Sequence, residues 1–326
     1  MTATMKTIRA RFPLLLALAA LAAPAAPRAQ APSPPSQGAG PTPAPESTPD
    51  LAFGAYQRGF YITTFREAMK RVAADPKDAA AMTLIGEIYR EGYAVRQDQA
   101  EASRWYRLAS DLGDREAAFL LGVMLLNGAP GVDKDRAGAT AQFEKAAAKG
   151  QAGALYNLGV MAIEGEGAGK ADFAKAADYF RRAADAGDEN GAYSYGVLLR
   201  EGRGVPLDIA QSAQWLKRAA DAGIVAGQVE YAIMLFNGVG VEKNEAAAAK
   251  IFLRAAARNN PIAQNRLAHL YVTGRGVPRD LVEAATWNAF AKAAGLDDPE
   301  LDAATAHLTP EENAHVDQLV RRQAAF

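Results

Sequence analysis

Tyr195-Gly-Val-Leu-Leu-Arg-Glu-Gly-Arg-Gly-Val-Pro-Leu-Asp208 lies in the middle of the 326-residue chain and reads as a junction between two helices. The residues from Ala192 to Arg200 place apolar side chains at helical spacing. Gly202 supplies the positive φ that a chain needs just after a helix end. Pro206 fixes the exit direction. Asp208 is placed to cap a second helix, running from Ile209 to Ala222. On that helix Trp215 and Ala219-Ala220 are expected to face inward.

The same junction recurs along the chain. One glycine falls at Gly86, Gly122, Gly159 and Gly196, with Ala232 and Ala268 continuing the series at steps of 36 or 37 residues. A second glycine follows six residues later each time, at Gly92, Gly128, Gly165, Gly202, Gly238 and Gly274. A third series, Gly113, Gly150, Gly187, Gly223 and Gly295, closes the units, with Asn259 in the fifth. A large side chain recurs at Trp105, Tyr179, Trp215, Ile251 and Trp287, and the second copy shows Phe143 one position on. Fixed-period self-similarity of this length marks a stack of helix pairs. A glycine inside the first helix costs about 1 kcal/mol against alanine. Close helix–helix approach is the compensation that a helix-interior glycine implies.

The pattern Leu-Gly-x-x-Tyr-x-x-Gly-x-Gly-Val-x-x-Asp, followed by Ala-x-x-Trp and Ala-Ala-x-x-Gly, resembles the Sel1-like repeat family, relatives of tetratricopeptide repeats. The Tyr195–Asp208 copy carries it best, and Leu267–Asp280 is nearly as close. The second copy departs through an inserted residue in Gly128-Ala-Pro-Gly-Val132, the third through Gly167-Ala-Gly-Lys170. The resemblance implies an all-α fold, an α/α superhelical solenoid. It divides the chain into repeats at about 79–114, 115–151, 152–188, 189–224, 225–260 and 261–296. Residues 51–78 read as a degenerate tetratricopeptide-like pair. Residues 297–326 read as C-terminal capping helices, since a solenoid needs closed ends. Thr309-Pro-Glu-Glu312 is a helix start with cap, first-position proline and a glutamate that reaches back.

The first fifty residues read differently. Lys6, Arg9 and Arg11 precede the apolar run Phe12 to Ala23, and Ala23-Pro-Ala25 fits a small-residue cleavage site, so residues 1–25 are expected to be a signal peptide. The run is shorter than the roughly 20 residues that span a bilayer, so no stable membrane insertion is expected after cleavage. Residues 26–50 carry eight of the 17 prolines and little to bury, which reads as a disordered linker. The expected location is exported and periplasmic, with secretion as the alternative.

Composition narrows the function. The chain has no cysteine and three histidines, which removes thiolate metal sites and cysteine nucleophiles. Loss of residues 1–25 takes the formal charge from −1 to −4, which argues against a nucleic-acid partner. No phosphate-cradling loop, nucleophile elbow or paired-carboxylate motif is present, so neither catalytic residues nor a cofactor or metal are expected. His307 and His315 are separated by Pro310 and share no helix face. Some Sel1-like proteins are described as penicillin-binding or weak β-lactamases, so the resemblance leaves a cell-wall-related enzyme as the alternative reading. Those proteins carry a cysteine pair in each repeat and this chain has none, so it is expected not to be an enzyme.

What remains is a surface. With the shared glycine at position 8 of the first helix, positions 2, 5, 6, 9 and 12 are expected to line a concave groove that takes a peptide or partner protein. Its rungs are Tyr156, Asn157, Asn190, Tyr193, Val197, Arg200, Glu230, Ile233, Arg266 and His269. Phe119 and Phe236 belong to the same ladder. Asn157 alone matches the asparagine that holds a peptide backbone in tetratricopeptide grooves. The resemblance implies an interaction scaffold of the bacterial envelope. A narrower form restrains a membrane sensor kinase, and a third reading is structural assembly through the convex face.

Overall fold

A computed structural model describes residues 50–165 and 169–324, with the side chains of the last two of these left aside. The expected signal peptide, nearly all of the proline-rich linker, and Gly167 lie outside those residues. The described residues form sixteen helices and no strand beyond one isolated bridge, Ala129 with Val132. An opening pair is α1 (Leu51–Gln57) and α2 (Tyr61–Ala74). Six pairs follow: α3 (Ala79–Glu91) with α4 (Gln99–Asp111), α5 (Arg115–Asn127) with α6 (Arg136–Ala148), and α7 (Ala152–Glu164) with α8 (Phe173–Asp185). They continue with α9 (Glu189–Glu201) and α10 (Ile209–Asp221), α11 (Val225–Asn237) and α12 (Glu245–Ala256), and α13 (Pro261–Thr273) and α14 (Leu281–Ala293). Two helices close the chain, α15 (Pro299–Thr305) and α16 (Pro310–Ala324). Each helix through α15 packs on its neighbours in sequence and α16 packs back on α14, so the fold is an all-α solenoid.

Capping explains why the elements start where they do. Asp98, Asp135, Asp172, Asp208, Asn244 and Asp280 each accept a backbone N–H at the start of a second helix. Asp208 accepts from Gln211 at 2.8 Å. Asp208→Ala should cost about 1 kcal/mol, read as a lower urea midpoint at unchanged slope. Glycine ends the same units. Asn259 stands where five copies carry glycine, and at φ 59° it is the one non-glycine with positive φ among the described residues. Thr309 and Glu312 satisfy each other's backbone N–H at the start of α16.

The helix-interior glycines are contact points. A Cβ on Gly159 would lie 2.6 Å from the Phe180 ring, and one on Gly122 would lie 2.7 Å from Phe143. Gly86 meets Tyr106 in the same way, and Gly196 meets Leu216. The core residue of each second helix is therefore Tyr106, Phe143, Phe180, Leu216 and Phe252, all at or below 2% exposure. This corrects the sequence reading of Trp215, which is expected to face inward and is half-buried, while Ala219 and Ala220 are buried as expected. The large residues Trp105, Tyr179, Trp215, Ile251 and Trp287 sit one position earlier, about 100° round the helix. Trp105 and Tyr179 are also half-buried, whereas Ile251 and Trp287 are buried, at 8% and 5% exposure. Phe143 is not a displaced member of the series. The displaced-looking residue is Gln142, which is buried and accepts a hydrogen bond from Ser110 at 2.6 Å.

A further glycine in the turn, at Gly131, Gly204, Gly240 and Gly276, packs on the preceding unit. Gly276 has φ 74°, and a Cβ there would lie 2.3 Å from the carbonyl oxygen of Glu245, at the start of α12. The turn of one repeat therefore rests on the second helix of the repeat before it. Gly276→Ala combines a strained φ with a backbone clash and should destabilise by more than about 1 kcal/mol. Calorimetry checks this as a lower melting temperature.

The last repeat changes its core for its neighbour. Asn288 occupies the slot of Phe252, and its amide donates to Asp302 of α15 at 2.8 Å. Lys292 reaches the same carboxylate at 2.8 Å. A polar slot suits a unit whose next neighbour is a capping helix.

Candidate binding face on the first helices

The first helices α7, α9, α11 and α13 carry the ten residues singled out from the sequence, and the structure sorts them into three groups. Tyr156, Tyr193, Ile233 and Arg266 are half-buried side chains, and Asn190 is exposed at the start of α9. These five keep accessible surface. Asn157 and Val197 do not. Asn157 is 7% exposed, and its amide donates to the Gly153 carbonyl at 2.7 Å, inside its own helix. Val197 is 6% exposed because α9 is enclosed by α8 and α10, with eight of its thirteen residues buried. The remaining three are already engaged within the protein. Arg200 pairs with Glu230 across α9 and α11. His269 meets the Asp298 carboxylate at 2.7 Å.

Two aromatic rungs also leave the ladder. Phe119 is buried against α7, where a Cβ on Gly153 would lie 2.9 Å from its ring. Phe236 is buried beneath the guanidinium of Arg275, 4.2 Å from the ring centroid. Both serve the seam between repeats.

The electrostatics of the face follow from partial burial. Burial raises the Tyr156 hydroxyl, and the Asp188 carboxylate adds to the effect. Its ring lies 5.6 Å from that of Phe180, so one edge of Tyr156 belongs to the core. Burial and the Glu230 carboxylate push the Tyr193 hydroxyl up to about 12, against the pull of Arg200. The neutral phenol is thus favoured in the fold. Its contribution to stability is complete below pH 10.0, the ordinary value, and is lost as pH rises towards about 12. Burial raises Tyr56, Tyr106 and Tyr156 as well, so spectrophotometric titration should show a group of late phenolates that Tyr193→Phe reduces by one.

Asp188 and Glu116 were not singled out from the sequence. Burial raises Asp188, although it caps α9. Burial also raises Glu116, with Asp114 and Glu87 adding to it and the Gln151 amide, at 3.4 Å, opposing. Glu87 accepts from the Tyr106 hydroxyl at 2.7 Å and pairs with Arg90 at 2.5 Å. Asp298 was also missed. Its Oδ1 takes the Glu300 and Leu301 N–H groups, while its Oδ2 takes Asn265 and His269. Asp298-Pro299 is a readable helix start, but its second role needs the packing of α13 against α15.

The face therefore offers a phenol on each of two successive repeats, apolar edges between them, and exposed or half-buried amide and guanidinium groups. These groups can hydrogen-bond an extended chain and hold its apolar side chains. Among the described residues no group of three His, Asp or Glu side chains is placed to hold a metal ion. None of the described helices is long and apolar enough to cross a membrane.

A solenoid of paired helices, keyed by a glycine in each first helix, is the class this geometry defines. Comparison with known proteins gives the family. The Sel1 repeat model matches residues 79–114, 115–151, 152–188, 190–224, 225–260 and 261–296, and the chain belongs to the Sel1 repeat family. A Sel1 repeat protein from Oxalobacter formigenes is similar in structure, with 25% identity and a TM-score of 0.64 over 74% of this chain and 94% of that one. A protective antigen present in uropathogenic Escherichia coli strains, also of this fold, aligns with a TM-score of 0.71 at 22% identity. That alignment covers 84% of this chain and 61% of the antigen, so the chain spans about three fifths of the antigen's length. No curated protein matched the chain. Proteins of this family generally mediate protein–protein interaction, on a scaffold that is generally non-enzymatic.

Proposed function

We propose that this protein is an exported, non-catalytic scaffold of a bacterial envelope that holds an extended segment of a partner protein on its first helices. The observation that carries the reading is the pair Tyr156 and Tyr193. They occupy the same position in consecutive repeats, both half-buried, with Asn190 exposed between them. Each ring packs one side on the core, Tyr156 on Phe180 and Tyr193 on the cluster of Ala184, Ala192 and Ala219, and leaves the remainder accessible in register. The next two repeats carry buried Val229 and Asn265 at that position, and offer half-buried Ile233 and Arg266 from other positions of their first helices. Export is supported by the basic start, apolar run and small-residue site within residues 1–25. A segment bound along these helices would bias an envelope signalling or assembly complex through the contacts it makes or blocks.

The test is crosslinked capture from the envelope fraction, with the unaltered chain and with Tyr156→Ala/Tyr193→Ala. Both forms must show the same helical circular dichroism. The reading requires a partner that the unaltered chain captures and the double variant loses. Equal capture by both forms would place the partner elsewhere.

A further inference from the structure

The opening pair α1–α2 ends the solenoid with an apolar surface. Ile62 is 74% exposed, Leu51 63%, Phe60 58%, Phe53 48% and Met69 40%. Five large apolar side chains within nineteen residues is a concentration found nowhere else among the described residues. The opposite end differs, since α16 turns Glu311, Glu312, Asp317 and Arg321 to water. Repeat stacking explains why the surface is apolar, because inside the solenoid each such face is covered by the preceding unit. At α1–α2 none of the described residues covers it.

Charge selects the occupant. The Arg58 guanidinium lies 5.7 Å from the Phe60 ring centroid, beside Gly54. Arg66 falls between Ile62 and Met69 on one helical stripe. Arg66 and Lys70 are 62% and 65% exposed and share a single carboxylate, Glu67. Arg71 is not available, being held by Asp50 and Asp78. Across residues 50–78 the cations Arg58, Arg66, Lys70, Arg71 and Lys77 outnumber the carboxylates Asp50, Glu67, Asp75 and Asp78 by one, a positive surplus in a chain whose formal charge is −1. A second copy docked face to face would set that surplus against itself, as a two-fold interface must.

We infer that the α1–α2 end rests on an anionic lipid surface. The apolar side chains enter the headgroup boundary, and Arg58, Arg66 and Lys70 meet the lipid phosphates. Binding of this kind is peripheral and leaves the face on α7 to α13 for a protein segment.

Pro49–Phe326 forms a compact unit by itself, so the experiment uses that chain, free of the apolar run near the N-terminus. Sedimentation is measured with vesicles of phosphatidylcholine alone and with phosphatidylglycerol added, at low and high salt. Binding should require phosphatidylglycerol and weaken with salt. Phe60→Ser/Ile62→Ser and Arg58→Gln/Arg66→Gln/Lys70→Gln should each lower the vesicle-bound fraction by about tenfold or more. All of these positions are exposed, and matching circular dichroism confirms that the fold is kept. Absence of binding to the anionic vesicles, or binding unchanged in both variants, would overturn the inference. So would a lipid-free dimer that Phe60→Ser/Ile62→Ser dissolves, which would assign the face to a second copy.

Discussion

Phe180→Ala should remove about 3–5 kcal/mol of stability, the usual cost of deleting a fully buried aromatic ring. Phe180 is 0% exposed and joins α8 to both α7 and α9. Its ring fills the space that the missing Gly159 Cβ leaves on α7. It lies 5.6 Å from Tyr156, and its own carbonyl sits against Gly191 of α9, where a Cβ would come within 2.7 Å. Alanine leaves a cavity whose walls are helix backbones and cannot collapse far. The effect should also change cooperativity. In a solenoid each unit leans only on its neighbours, so a weak unit in the middle can uncouple the halves. Urea unfolding of the variant should show a lower midpoint and a broadened or two-step transition. A change below about 1 kcal/mol would mean that the glycine–ring contact does not organise the repeat.

Asp298→Ala should be the second largest loss, at about 2–3 kcal/mol. A helix cap is worth roughly 1 kcal/mol, and hydrogen bonds to a charged group are worth about 1.5–3 kcal/mol. The carboxylate is 19% exposed, which keeps the total below their sum. One carboxylate closes α15 and ties it to Asn265 and His269 of the last repeat. The side-chain bonds to Asn265 and His269, with the cap at Leu301, hold it below the usual aspartate range against the cost of its burial. The sign follows: its contribution is present above the ordinary carboxylate value of 3.8 and fades as pH falls through the lowered one. The damage should be local. Limited proteolysis should cut first between α14 and α16, while the six repeats persist. Asp298→Asn keeps an acceptor at the cap and should lose less.

The helix pairs were legible because glycine, proline and aspartate each have one strong backbone use. Gly202, Pro206 and Asp208 mark a helix end, an exit and a cap without reference to any distant residue. Asn259 was legible for the same reason, as the other residue type that tolerates positive φ. The core residue of the second helix was not. Trp215 and Leu216 are adjacent, and a repeated tryptophan draws attention to the wrong one. Which of two neighbours points inward depends on a rotation of about 100° set by the partner helix. The candidate face was half legible. Position counting put Tyr156, Tyr193, Ile233 and Arg266 on accessible surface. It could not foresee that Arg200 and Glu230, thirty residues apart, pair across a repeat seam, or that Asp298 would claim His269. Those contacts depend on how far one unit rotates against the next, which a single repeat does not encode. Asn157 shows a third limit, since an asparagine inside a helix can spend its amide on its own backbone.

The most direct measurement is site-specific photocrosslinking in the envelope. A photoreactive phenylalanine analogue is placed at Tyr193 on α9 or at Gln214 on the exposed side of α10. The account predicts an adduct with the same partner segment from position 193 and none from position 214, and loss of that adduct when Tyr156→Ala is added. An adduct formed at position 214 and absent at position 193 would contradict it, and would place the working surface on the second helices.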